Sequence, residues 1–185
     1  MARIQVNLMD VVCRDGEDLF SADEFYLTGA ISDGLQTTGV LTWPLSINAG
    51  ESKLFGVGGG VIFDADIHED RVLAVSRIAV EQFSDKNWSN HEDMVLQIGE
   101  AVSSEITVAP DPYMSYPWLQ LSSAVKTAAL NLDMAQDQKL GYHTRQFPIW
   151  ALPPGNHLQI WSFHGTGRAW LSDWDYTVRY MVVKK

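Results

Sequence analysis

Trp174-Asp-Tyr-Thr-Val-Arg-Tyr-Met-Val-Val183 is the stretch that decides the fold. Tyr176, Val178, Tyr180 and Val182 fall on one side of an extended chain, Thr177 and Arg179 on the other, because successive strand side chains point to opposite faces. Such alternation marks a strand with one face against a core. The other end of the chain reads the same way. Over residues 3–14, Ile4, Val6 and Leu8 alternate with polar neighbours, and Val11 to Cys13 continue the apolar pattern.

Working inward from these ends, further strands are expected at 25–31, ended by the turn Ser32-Asp33-Gly34, and at 36–43, closed by Pro44. Residues 52–63 read as one strand interrupted by the glycines of 56–60. Those glycines match neither phosphate-loop fingerprint and suit a bulge or a sharp bend. Residues 71–82 set Val72, Ala74, Ser76, Ile78 and Val80 against Leu73, Val75 and Arg77. Strands resume at 144–151, 157–163 and 174–183, with turns at Pro153-Pro154-Gly155-Asn156 and Gly165-Thr-Gly167. About eight short strands punctuated by Gly and Pro describe a mainly-β chain folded as an antiparallel β-sandwich.

One segment breaks the strand period. Ser89-Asn-His-Glu92 has the form of a capping box, and Val95, Ile98, Val102 and Ile106 follow at helical spacing. After Pro110-Asp-Pro112, Pro117 is placed to open a second helix carrying Trp118, Leu121, Val125, Ala128 and Leu132. Two helices, 90–107 and 117–133, are therefore expected as a two-helix insertion over about 89–134.

The 185 residues suit one domain, and with 46% hydrophobic and 19% charged residues they are enough for a sizeable core. Twenty-three acidic against 13 basic residues leave a formal charge of -10. No basic face is visible, so nucleic acid is excluded as a partner, and cations or basic partners fit better. Cys13 is the only cysteine, which rules out an internal disulfide. Met1-Ala-Arg3 leads straight into a strand with no apolar h-region. No apolar run approaches the roughly 18 residues of a spanning helix. A soluble chain is expected, cytoplasmic or exported without a classical signal peptide.

The acidic residues gather at turns: Glu17, Asp18, Asp23 and Glu24 between the first two strands, Glu81 and Asp85 before the helices, Asp133 and Asp137 after them. Aspartate is a turn former, so each cluster alone reads equally as solvated surface. Taken jointly, they lie on connections that a sandwich gathers at one end, and calcium takes about six to eight oxygen ligands from such loops.

The tract from Val11 to Leu27, with Asp18 in the loop and Asp23-Glu24 opening the next strand, resembles the first strand and loop of C2-like calcium-binding β-sandwich domains from bacteria. Ala79-Val-Glu81-Gln-Phe83 is similar to their third-loop entry, Asp137-Gln-Lys-Leu-Gly141 to its exit, and Gly165 to Tyr180 to their closing turn and last strand. Some such domains carry a helical insertion in the third loop. The resemblance implies calcium ligands at Asp18, Asp23, Glu81, Asp85 and Asp137. Two positions depart from the pattern: Phe83 stands where an Asp is usual, and Gln136-Asp137 where an Asp-Asp or Asn-Asp pair is. An incomplete ligand set weakens affinity.

Enzymatic constellations are absent from the pattern. None of His68, His91, His143, His157 and His164 lies in a nucleophile motif. His91-Glu92 lacks the second histidine of a helix-borne zinc pair, and Cys13 sits within a strand as a buried thiol would. Four of seven tryptophans lie within 150–174. Trp161 reads as core, whereas Trp170 and Trp174, beside Asp173 and Asp175 near a Gly-rich turn, read either as core or as exposed rings that stack on a sugar. Three functions follow: a non-enzymatic, calcium-dependent module for an anionic membrane surface or a protein partner, a structural or toxin-associated assembly subunit that needs no metal and associates through a sheet edge or helical face, and a carbohydrate-binding sandwich.

Overall fold

The structure, a computed structural model, describes residues 1–16, 23–56, 60–82, 88–107, 117–131, 137–165 and 173–185. Its strands are β1 (Ala2–Asp15), β2 (Asp23–Ser32), β3 (Thr37–Leu41), β4 (Leu45–Ile47), β5 (Ser52–Leu54), β6 (Gly60–Ile67), β7 (Val72–Glu81), β8 (Gln138–Pro148), β9 (Gly155–Gly165) and β10 (Trp174–Lys184). Helices α1 (His91–Thr107) and α2 (Pro117–Asn131) lie between β7 and β8.

The strands form two antiparallel sheets. One runs β5-β1-β10-β9, with β6 also against β1, and the other β3-β2-β7-β8, with β4 also against β2. The expected antiparallel β-sandwich is what the chain builds, and the alternation of its ends explains how. Tyr176, Val178, Tyr180 and Val182 of β10 are fully buried between the sheets, alongside Ile4, Val6 and Leu8 of β1. A register shift between Leu8 and Asp10 resets the alternation, so Val11 and Cys13 face the same core as Leu8. Burial pushes the Cys13 thiol up to about 11, which keeps it an inert protonated packing group.

The helices add a third layer. Tyr26 and Ala30 of β2 and Ala74, Ile78 and Val80 of β7 form a second core with Ile98 and Val102 of α1 and Leu121, Val125 and Ala128 of α2. Both faces of β2 and β7 are therefore covered, which is why these strands read as near-continuous apolar runs. The close seat of α1 depends on glycine: a Cβ on Gly39 would lie 2.1 Å from the Val95 carbonyl oxygen, and Gly99 faces it from the helix.

Several expected boundaries change. Residues 52–63 are two strands, β5 and β6, each pairing with a different part of β1. The three-residue β4 follows Pro44 where no strand was expected, and β8 begins at Gln138, six residues before the expected 144. A 3-10 turn at Trp88–Asn90 starts the helical region, so Ser89 lies inside its first turn. The Ser32-Asp33-Gly34 turn holds, with Gly34 at φ 87° and Asp33 accepting from the backbone N–H groups of Leu35 and Gln36. The end of the second helix at 132–133 lies outside the described residues.

Candidate functional site

Antiparallel pairing brings the acidic strand ends together. β2 opens at Asp23, β7 closes at Glu81, and β8 is preceded by Asp137. Phe25 is paired with Glu81 and Glu81 with Gln138, so the three carboxylates sit at one end of three adjacent strands. All are nearly inaccessible, at 3%, 3% and 5% exposure.

They do not share one side of the sheet. Asp23 points between the sheets, where it accepts a hydrogen bond from the Tyr176 hydroxyl of β10. Glu81 has the same parity as Leu73, Val75 and Ala79, which line that core. Asp137 accepts from the Tyr26 hydroxyl at 2.6 Å, and Tyr26 belongs to the core under the helices. The cause is a bulge. Register shifts between Ala79 and Val80, whose partners are Gly141 and Lys139, leaving Leu140 as the extra residue. One extra residue exchanges the faces of everything before it, so Asp137 comes out on the helical side. Accordingly, among the described residues, no three His, Cys, Asp or Glu side chains gather around one point where an ion would sit.

Asp23 and Glu81 are diagonal neighbours on one face, a relation that spans ~7–8 Å between Cα atoms. Gly16 packs behind the Asp23 carboxylate, 2.6 Å from where a Cβ would stand. The all-oxygen donor set suits calcium in chemistry. Asp18 and Asp85, the other two expected ligands, lie outside the described residues. Burial raises the pKa of both Tyr26 and Tyr176, with Asp23 adding to the effect at Tyr176, so both remain protonated donors.

Of the tryptophans near the C-terminal turn, Trp161 and Trp174 are used for packing, whereas Trp150 is largely exposed. Trp161 belongs to the sandwich core. Trp174 packs against that core, donates its indole N–H to the Leu140 carbonyl at 3.2 Å, and covers Gly165, whose absent side chain makes room for the ring. Trp170 lies outside the described residues. His91 stacks on Trp43 with ring centroids 4.5 Å apart, and its Nε2 is 2.9 Å from the Leu41 carbonyl oxygen, tying the start of α1 to β3.

Sequence reasoning passed over a second group of polar side chains, Arg77, His143 and Tyr180. They meet between the sheets, with the Arg77 guanidinium 3.7 Å above the Tyr180 ring. The signal was present: an arginine in the middle of Val72-Leu-Ala-Val-Ser-Arg-Ile-Ala-Val80 has no solvent face to occupy once both sides of the strand are apolar.

No family model matches the chain, and no curated protein matches it in sequence. Among solved structures it is similar to one described as a C2 domain, at 13% identity and a TM-score of 0.42, over 100% of this chain and 99% of that one. The C2A domain of plant Extended Synaptotagmin 1 is similar at 8% identity and a TM-score of 0.44, over 100% and 94%. Human GIVD cytosolic phospholipase A2, solved with methyl gamma-linolenyl fluorophosphonate and terbium chloride, is similar at 9% identity and a TM-score of 0.47, over 99% of this chain and 17% of that one. At these identities and TM-scores the likeness carries no argument about this chain. Its two-sheet architecture rests on the pairing of its own strands, and ligands and partners have to be argued from its own residues. Among the described residues no helix is long and apolar enough to cross a membrane.

Proposed function

We propose that the chain is a non-enzymatic binding module whose carboxylate end takes up calcium and, once loaded, docks on an anionic membrane surface or a protein partner. The observation that carries this reading is the burial of Asp23 and Glu81 on one face of adjacent strands, at the end where the expected acidic loops begin. Asp18 and Asp85 would complete the oxygen set from those loops. The net charge of -10 supports the requirement for a cation, since the bare protein is repelled by anionic lipid.

Thermal melting in excess EGTA and then in millimolar calcium, with magnesium as control, tests it. Ligand at a hundredfold excess over Kd stabilises the folded state by about 2.7 kcal/mol. A rise of several degrees is expected for calcium alone, and Asp23→Asn with Glu81→Gln should abolish it. An unchanged melting temperature removes the calcium mechanism.

A second reading, self-association, is favoured by β9. This eleven-residue strand ends its sheet and carries no Lys, Arg, Asp, Glu or Pro. Leu158 and Ile160 are 50% and 55% exposed on its outer face. Long, uncharged edges are templates for further strand pairing, and a second copy aligned antiparallel would set Leu158 against Ile160 twice. Light scattering at high concentration is expected to give a dimer or larger species that Ile160→Lys disperses. A strict monomer rejects this reading.

A further inference from the structure

Arg77 is fully buried at 0% exposure, and among the described residues its Nε, Nη1 and Nη2 atoms have no partner in hydrogen-bond geometry, although the Tyr180 side chain acts on the guanidinium. The Tyr180 hydroxyl, also fully buried, and His143 Nδ1 share that condition. These groups belong to one place. Arg77 and His143 stand directly opposite each other across the β7–β8 pair, and Gly29, opposite Arg77 on β2, contributes no side chain. The guanidinium lies over the Tyr180 ring, and the His143 ring is 6.1 Å from that ring, edge-on, and 5.2 Å from Trp161, stacked. Exposed Arg145, two residues along β8, extends the positive potential toward solvent and acts on both His143 and Tyr180.

The charge balance of this cluster is unusual for an acidic chain. Among the described residues no carboxylate bonds to any of the three groups. Burial draws the Arg77 guanidinium down to about 10, with Tyr180 opposing the shift, so Arg77 is still charged at neutral pH. Burial, reinforced by Arg77 and Arg145, takes His143 down to about 4, so the imidazole is neutral there and adds no charge of its own. A buried charge without a counter-charge is unfavourable. The ring face of Tyr180 offers a cation–π contact, and interior water can satisfy N–H donors, but neither supplies a negative charge.

We propose that the cluster is a binding site for one small monovalent oxyanion of the carboxylate type, held between the sheets. The planar guanidinium fork matches the two oxygens of a carboxylate, and the Tyr180 hydroxyl and the Nδ1–H tautomer of His143 supply two further donors. One negative charge balances the one buried cation, whereas a dianion leaves an excess in a low-dielectric interior. His143 is only partly buried, so the β8 side, toward exposed Arg145, is the route of entry. The site is separate from the carboxylate end of the sandwich and needs no calcium.

The test is thermal melting of the full chain in EGTA at pH 7, with sodium formate titrated against sodium 2-(N-morpholino)ethanesulfonate at constant ionic strength. Formate is expected to raise the melting temperature by about 3 °C or more, with saturation, and planar, monovalent nitrate should do the same. Arg77→Met should remove the response. Tyr180→Phe, which keeps the ring and removes one donor, should raise the half-saturating formate concentration about tenfold. Coincident formate and sulfonate curves would overturn the proposal, leaving the Tyr180 ring and interior water as the compensation for Arg77. A full formate response in Arg77→Met would also overturn it. Should Arg77→Met fail to fold, Tyr180→Phe decides, and an unchanged half-saturation there rejects the site.

Discussion

Replacing Phe25 by alanine is expected to lower the stability of the folded chain by about 3–5 kcal/mol. Phe25 is fully buried, and its ring meets three others: Tyr176 at 5.2 Å, Phe163 at 6.5 Å and Phe55 at 6.4 Å between centroids. Those partners come from β10, β9 and the segment after β5, so one side chain joins both sheets at their loop end. Truncation removes the transfer free energy of a phenyl ring and opens a cavity whose walls are other large rings with little freedom to collapse. For a chain of this length the loss corresponds to a melting temperature lower by roughly 6–20 °C. The denaturant midpoint should fall with an unchanged slope. Leu35→Ala, at a position 77% exposed, is the control, expected to stay within about 0.5 kcal/mol. The substitution also reaches the candidate site. Phe25 lies two residues after Asp23, is paired with Glu81, and stacks on the Tyr176 ring whose hydroxyl holds Asp23. Any calcium response should therefore weaken along with stability. A Phe25→Ala protein as stable as the parent would show that this aromatic cluster does not join the sheets.

How much of this was legible in the sequence depends on the distance over which the information acts. The last strand was readable because Tyr176 to Val182 carry a strict period of two, and a strand buried on one face has no other stable arrangement. The helices were readable because Val95, Ile98 and Val102 recur at helical spacing between strands of a different period. What could not be read is set by pairing between distant segments. The division of 52–63 into β5 and β6 follows from how two pieces of chain lie along β1. The early start of β8 follows from the length of β7 beside it. The three residues of β4 have too little pattern to announce a strand.

The candidate site shows the same division. That Asp23, Glu81 and Asp137 reach one end of the sandwich followed from their positions at strand ends. That Asp137 turns to the helical side follows from Leu140, one extra residue opposite β7, and no local motif records which residue a partner strand will skip. Nothing in the local pattern marks Tyr26 or Tyr176 as a donor, yet each donates its hydroxyl to a buried carboxylate more than a hundred residues away in sequence. A carboxylate can be buried at low cost when such a donor is supplied. The tyrosines therefore belong to the site as much as the acids do.

The helical layer rests on a narrower condition, and Gly39→Ala is expected to break it. The added methyl would stand 2.1 Å from the Val95 carbonyl oxygen and 2.8 Å from the Gly99 nitrogen. Both are backbone atoms of a helix, so neither can swing aside as a side-chain tip would. Either β3 or α1 must move. β3 is held by five paired positions on β2, while α1 is held by the apolar contacts of Ile98 and Val102 and by His91 on Leu41 and Trp43. The helix is the part that yields. Overpacking usually costs about 1–3 kcal/mol, and a clash against fixed backbone belongs at or above the upper end, a fall of roughly 6–12 °C in melting temperature. Amide hydrogen exchange separates this from general destabilisation. Protection should drop first along α1 while β1 and β10, which lie in the other sheet, keep theirs. Uniform loss of protection would mean that the helices and the sandwich unfold as one unit. An unchanged melting temperature would mean that α1 does not sit against Gly39, and the case for a covered outer face of β2 and β7 would fall with it.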